Sequence, residues 1–177
     1  MAKLISLLTL IAAFTLLSSF GYGTAVLERP QEAVAKSTVW SEVVEYARSH
    51  FPQEGVLMKN RYGYVYLKVD DAYIHELFPM LGLEEEGYEE PPYFRSRSSP
   101  GAHISVIYEA EGVSPVEVGK RFSFTLEDIV IVKPTWNAYY AVIQVRAPEL
   151  EALRAKYGLK LKLQGHEFHI SIAKKSS

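Results

Sequence analysis

The spacing of apolar residues first predicts a helix in the segment STVWSEVVEYARSHF. Its apolar positions recur at three- and four-residue intervals: Val39, Val43, Tyr46 and Ala47. Ser37 or Thr38 is available as the N-cap, and Pro52 and Gly55 follow the end of the helix. This helix therefore opens the folded domain, which we place at residues 37–177.

A strand and a second helix come next. The segment RYGYVYLKVD alternates with a period of two, which is typical of a half-buried strand. Its aliphatic face consists of Val65, Leu67 and Val69, and its opposite face of Tyr64, Tyr66 and Lys68. In DDAYIHELFPMLGL, Asp70 or Asp71 caps a short helix and Gly82 ends it.

A similar strand and helix recur nearer the C-terminus. Residues 84–100 are rich in Glu, Pro, Ser and Arg and are typical of an exposed loop. FSFTLEDIVIVKP then predicts one or two strands, and WNAYYAVIQVRA predicts another. PELEALRAKYGL predicts a helix with Pro148 in its first turn and Gly158 after its end.

These segments repeat in order along the chain. A shift of 76 residues places the first strand and helix on the second pair, with Gly82 on Gly158. Each copy ends in a predicted strand that carries the tripeptide His-Ile-Ser, beginning at His103 and at His169, which are 66 residues apart. The first copy is therefore ten residues longer, and the exposed loop accommodates the difference. We infer two strand-helix-strand lobes, at residues 62–108 and 136–175.

The N-terminus has the pattern of a signal peptide. Lys3 supplies a positive charge, residues 4–17 form an apolar run, and SSFGYGTA supplies small residues for cleavage. We therefore predict a signal peptide at residues 1–23, a linker at residues 24–36, and a periplasmic or secreted location in a bacterium. The alternative is an uncleaved anchor, although the apolar run is shorter than the roughly 20 residues that span a bilayer. After cleavage we expect no stable association with a membrane.

Composition narrows the class of protein. With 177 residues, 48% of them hydrophobic, the chain suits a single domain with its own core, and we expect a monomer. The formal net charge of −2 argues against long duplex nucleic acid as a partner, because that partner requires many basic contacts. The absence of cysteine excludes disulfides and a thiol nucleophile, and it favours a bacterial periplasm over a eukaryotic secretory pathway.

The two His-Ile-Ser tripeptides carry the candidate chemistry. Residues i and i+2 of a strand share a face, so His103 lies beside Ser105 and His169 beside Ser171. If a pseudo-twofold axis relates the lobes, the two pairs face each other across a groove. Two imidazoles on opposite sides of a phosphorus atom can act as general base and general acid in phosphodiester cleavage, and the hydroxyls can donate to phosphate oxygens. This chemistry needs no metal or other cofactor.

The paired tripeptides, AHISV and FHISI, resemble the duplicated H-x-S/T signature of the two-histidine (2H) phosphoesterase superfamily. The resemblance is to the cyclic phosphodiesterases of the RNA ligase type and covers residues 62–174. It implies an α+β, bilobal fold with an antiparallel sheet in each lobe, facing a central groove. It also implies metal-independent hydrolysis of a small nucleotide or oligonucleotide phosphodiester, such as a 2′,3′-cyclic phosphate. The implied roles are acid and base for His103 and His169, and phosphate binding for Ser105 and Ser171.

Other side chains are candidate substrate contacts. Tyr64 and Lys68 lie on the non-core face of their strand, and Tyr140 matches Tyr64 in the repeat. They can stack on a base or meet a phosphate, or they can simply face solvent. Arg95 and Arg97, beside two aromatic residues in the exposed loop, are candidates for a lid over a nucleotide.

Three alternatives remain open at this point. His166 and His169 suggest a metal site, but residues i and i+3 of a strand point to opposite faces, so we expect none. A catalytically silent protein that binds nucleotide or phosphate could have the same scaffold. In a structural or interaction protein, the repeats would reflect duplicated packing alone.

Overall fold

Seven strands pair into one sheet, and every pair of neighbours is antiparallel. The computed structural model describes residues 30–96, 98–135 and 137–176, without the side chains of residues 30–37 and 135. The predicted signal peptide, residues 1–23, lies outside them. The strands are β1 (Glu54–Lys59), β2 (Val65–Lys68), β3 (His103–Ile107), β4 (Arg121–Ser123), β5 (Thr125–Thr135), β6 (Ala138–Arg146) and β7 (His169–Ser176). Their order across the sheet is β4-β1-β2-β3-β7-β6-β5.

The helices are α1 (Pro30–His50), α2 (Ala72–His75), α3 (Leu77–Met80) and α4 (Pro148–Lys156). Two 3₁₀ turns occupy Glu84–Glu86 and Glu109–Glu111. Among the described residues, no helix is both long enough and apolar enough to span a lipid bilayer.

The duplication predicted from the sequence is visible in the topology. The first half of the sheet contains β1-β2-β3, with β4 at its outer edge and with α2 and α3 connecting β2 to β3. The second half is β7-β6-β5, with α4 connecting β6 to β7. The α+β fold class is therefore confirmed. The two halves do not form separate sheets, however, because β3 pairs with β7 at Ile104 and Ile170 and makes the sheet continuous.

Several elements differ from their predicted bounds. The first helix begins at Pro30, so Ser37 and Thr38 lie within it and the predicted N-cap was wrong. Residues 30–36 lack an apolar stripe and looked like a linker, but proline at a first helical position and the alanines that follow favour a helix. Strand β1 was missed, since only three consecutive residues of it are large and apolar.

The helix predicted at residues 70–82 is two single turns, α2 and α3, with Glu76 between them. The apolar side chains of Ile74, Leu77 and Leu81 in this segment are buried. Gly82 ends the segment with a positive φ of 62°, a backbone conformation that glycine adopts without strain. The equivalent helix α4 is continuous and is likewise followed by a glycine of positive φ, Gly158.

A buried arginine connects the two halves a second time. Arg154 in α4 is 1% exposed and donates from Nη1 to the carbonyl oxygen of Val106 in β3, at 2.6 Å. Its other nitrogens donate to Glu111 Oε1 at 2.7 Å and to the carbonyl oxygen of Lys160 at 2.6 Å. Burying a guanidinium is tolerated here because its donors are paired with a carboxylate and two carbonyls.

We expect the junction of the two halves to be sensitive to cavity formation. Ile104→Ala or Ile170→Ala, at positions with 0% exposure, should lower the free energy of unfolding by about 2–5 kcal/mol. Ile131→Ala in β5, where the side chain is 39% exposed, is the matched control and should cost less than about 1 kcal/mol. Urea denaturation at equilibrium measures all three, and equal losses at the buried and exposed sites would contradict the expectation.

Candidate active site

The pairing of β3 with β7 brings the two His-Ile-Ser tripeptides together at the centre of the sheet. Ile104 and Ile170 are fully buried. The alternate residues line one cavity of about 530 Å³: His103, Ser105, His169 and Ser171. The period-two geometry of the strands is the reason that each serine accompanies its histidine.

Both imidazoles are oriented by the backbone in the same way. His103 Nδ1 lies 2.7 Å from the carbonyl oxygen of Gly101, and His169 Nδ1 lies 2.9 Å from that of Glu167. A carbonyl oxygen can only accept a hydrogen bond, so each Nδ1 carries the proton and donates it. In the neutral ring Nε2 is then the unprotonated nitrogen and is available as a base.

The surroundings of the two histidines differ. His103 is 9% exposed, and the ring of Tyr93 meets it edge-on with 4.8 Å between centroids. Burial lowers the pKa of His103 below its usual 6.5, and the positive charges of Lys68 and of protonated His169 lower it further, against the hydrogen bond to Gly101.

His169 is half-buried. Burial lowers its pKa below 6.5 as well, and His166 adds to this, while the hydrogen bond to Glu167 opposes it. Both rings line the same cavity, and a positive charge on His169 lowers the pKa of His103. Burial therefore favours the neutral form of both imidazoles at neutral pH.

Each signature serine has a tyrosine phenol as partner. The Oη of Tyr64 lies 2.6 Å from Ser105 Oγ, and either hydroxyl can be the donor. Tyr93, from the loop of residues 84–100, lines the same cavity as Ser171 and interacts with its hydroxyl. Burial raises the pKa of both phenols above the usual 10.0, so both are protonated at neutral pH.

The other predicted substrate contacts, Tyr64, Lys68 and Tyr140, differ in their position relative to the cavity. Tyr140 is one of the residues that line the cavity, whereas Tyr64 adjoins the cavity through its hydrogen bond to Ser105. Lys68 is not among the residues that line the cavity; its ammonium group is bound by the carboxylate of Asp71 and lies 3.3 Å from the carbonyl oxygen of Ala102. Contact of Tyr64, Lys68 and Tyr140 with a substrate stays a prediction.

Arg95 and Arg97 were predicted to belong to a lid over the substrate, and the structure describes only the first of them. Arg95 is exposed and is not one of the residues that line the cavity. The loop contributes Tyr93 instead. Arg97 lies outside the described residues.

Most of the remaining wall comes from the second half of the fold and was not predicted. It includes Lys133 in β5, Gln144 in β6, and Gln164 and His166 in the loop before β7. Gln144 could have been found, since it matches Lys68 in the 76-residue repeat. The others have no local signal, because a wall formed by a loop and an edge strand depends on how distant segments meet.

The described residues contain no cluster of three or more His, Cys, Asp or Glu side chains able to hold a metal ion. His166, considered above for a metal site, is exposed and lies at the rim of the cavity.

The family assignment rests on the extent of a sequence match. Residues 65–177 match a family model described as Swiss Army Knife, 2H phosphoesterase domain. The chain belongs to the 2H phosphoesterase superfamily. The matched region of this 2H phosphoesterase runs from the start of β2 and contains both His-Ile-Ser strands. Comparisons with curated proteins and with solved structures gave no match.

Family membership gives a coarse function. Members of the 2H phosphoesterase superfamily hydrolyse phosphodiesters, so this chain carries a domain of the phosphodiester hydrolase type.

The shared orientation of the imidazoles can be tested directly in this 2H phosphoesterase. We expect the Nδ1–H tautomer for neutral His103 and His169, and pKa values below 6.5 for both, since burial disfavours the charged rings. Two-dimensional ¹H–¹⁵N NMR of the imidazole nitrogens over a pH series reports both properties. A protonated Nε2 in the neutral form of either ring would contradict the geometry.

Proposed function

We propose that this protein hydrolyses a small phosphodiester, such as a nucleoside 2′,3′-cyclic phosphate or a cyclic phosphate at an RNA end, without a metal ion. The observation that supports the proposal best is the cavity in which two imidazoles, each with Nδ1 held by a carbonyl, lie beside two serine hydroxyls. Membership of a phosphodiester hydrolase family supports the same reaction class.

The proposed reaction is an in-line displacement at phosphorus. One neutral histidine takes a proton from the attacking water as the new P–O bond forms. The other histidine, which is protonated, gives its proton to the ribose oxygen as the bond between this oxygen and phosphorus breaks. Ser105 and Ser171 donate to the non-bridging oxygens, where the negative charge is held. The product is a phosphomonoester with the free hydroxyl on the same ribose.

The dimensions of the cavity favour a small substrate. A volume of about 530 Å³ falls within the range of roughly 300–1,000 Å³ that small-molecule sites occupy. A mononucleotide or a single-stranded end fits such a space, whereas a duplex does not. The formal net charge of −2 also supports a compact ligand over a long polyanion.

The asymmetry of the wall favours one assignment of roles. Beyond the signature residues, the second half of the fold supplies most of the wall, including Tyr140 and Gln144, so the nucleoside is best accommodated there. The leaving oxygen of a cyclic phosphate belongs to that nucleoside, which makes His169 the acid. His103, more buried and influenced by the charge of Lys68, is then the base.

Removal of either imidazole should abolish most of the activity. His103→Ala and His169→Ala should each lower kcat/KM for a 2′,3′-cyclic mononucleotide by about 10²- to 10⁴-fold, the usual contribution of a general acid or base. His50→Ala, on the exposed surface of α1, is the control and should keep wild-type activity. EDTA should have no effect.

Three outcomes would contradict the proposal. Full activity in either histidine variant would exclude that residue from the mechanism, and loss of activity with EDTA would indicate a metal enzyme. Binding of the cyclic nucleotide without any turnover would support a silent binding protein instead.

The same variants test the assignment of roles. A nucleoside p-nitrophenyl phosphodiester has a leaving group that departs without protonation, so its hydrolysis depends less on a general acid. We expect His169→Ala to lose less activity on this ester than on the cyclic substrate, and His103→Ala to lose as much. The opposite result would reverse the two roles.

The pH dependence follows from the buried histidines. A base that must be neutral and an acid that must be charged give a bell-shaped profile of kcat/KM, centred between their two pKa values. Burial lowers both pKa values below 6.5, so we expect the maximum below pH 6.5 and a fall in kcat/KM as the pH rises through 7. Initial rates between pH 4.5 and 9 measure the profile, and a maximum above pH 7 would contradict it.

A further inference from the structure

The two signature serines receive their phenol partners from unrelated positions. Tyr64 immediately precedes β2 and reaches Ser105 in the neighbouring strand β3. Tyr93 comes from the loop in the longer first copy and lines the cavity together with Ser171 in β7, across the junction of the halves, where the two hydroxyls interact. A tyrosine thus accompanies each serine, although Tyr93 is not the counterpart of Tyr64 in the repeat.

A phenol beside a serine can determine whether the serine hydroxyl is free to donate a hydrogen bond to phosphate. A serine hydroxyl has one hydrogen and two lone pairs. To bind a phosphate oxygen it must donate its only hydrogen to that oxygen. A phenol that donates to the serine oxygen occupies a lone pair and leaves the hydrogen for the phosphate, and such chains of hydrogen bonds strengthen one another.

Both phenols are held in place by ring contacts. The ring of Tyr64 stacks between Tyr66 and Tyr108, with centroid distances of 5.4 and 5.9 Å. The ring of Tyr93 meets His103 edge-on. A fixed phenol orients the serine beside it without loss of its own rotational freedom when the ligand binds.

We propose that Tyr64 and Tyr93 are positioning residues that hold Ser105 and Ser171 as hydrogen-bond donors to the phosphate of the substrate. This inference rests on the proposed function, since it assumes that the serines bind phosphate. The phenol of Tyr140, the counterpart of Tyr64 in the repeat, then remains available to the ligand at the cavity wall.

A double-mutant cycle separates positioning from a purely structural role. Tyr64→Phe should weaken binding of inorganic phosphate, measured by calorimetry, and lower kcat/KM for a 2′,3′-cyclic mononucleotide, each by about 3- to 30-fold. In a Ser105→Ala background the same change should have less than about a twofold effect, because the hydroxyl that the phenol orients is gone. Tyr93→Phe and Ser171→Ala should behave in the same way.

Tyr66→Phe is the matched control. It removes a neighbouring phenol for which the described residues show no hydrogen bond to either serine, and we expect less than about a twofold change. Thermal unfolding confirms that each variant is folded. If Tyr64→Phe does not fold, the cycle of Tyr93 with Ser171 tests the inference by itself, because Tyr93 lies in a loop.

The outcomes distinguish this inference from the proposed function. Additive effects of the tyrosine and serine changes, or an equal effect of Tyr66→Phe, would overturn the inference even if the wild-type protein hydrolyses the substrate. Coupled effects on phosphate binding in a protein without turnover would sustain the inference and overturn the hydrolase. A wild-type protein that neither binds phosphate nor hydrolyses the substrate would overturn both.

Discussion

The contact on which the rest of the molecule depends is the pairing of β3 with β7 at Ile104 and Ile170. It joins two halves of similar topology into one sheet and buries both isoleucines completely. Because strand residues alternate between faces, burying the central isoleucine of each tripeptide directs the flanking histidine and serine to the opposite face. The pairing of β3 with β7 therefore places core residues on one face of the two strands and the residues of the candidate site on the other.

The sequence was sufficient where a local pattern determines the outcome. The period-two alternation around Leu67 predicted β2 and its buried face, and the spacing of His103 and Ser105 predicted that the two side chains share a face. The resemblance of the paired His-Ile-Ser tripeptides to the 2H signature predicted the family and, through it, the α+β class. In these cases the information lies within a few residues of the feature.

The sequence was insufficient where segments distant in the chain meet. The residues near Ile104 carry no local pattern that indicates pairing of β3 with β7. A separate sheet was therefore predicted for each lobe, whereas the structure has one sheet. Lys68 was predicted to face the substrate because it lies on the polar face of its strand. Its partners in the structure, the carboxylate of Asp71 and the carbonyl of Ala102, could not be predicted, because they depend on how the chain turns back. Tyr93 reaches Ser171 from a loop without periodicity.

The backbone hydrogen bonds of His103 and His169 have a consequence for how such a site changes during evolution. In many enzymes a carboxylate side chain orients the catalytic imidazole, and one substitution removes it. Here the acceptors are the carbonyl oxygens of Gly101 and Glu167, which every amino acid possesses. The residue at position 167 can therefore diverge among descendants of this sequence without loss of the tautomer, provided that the main chain keeps its course. Gly101 is more constrained, because its φ of 65° suits glycine and a Cβ there would collide with the side chains of Asp71 and Lys68.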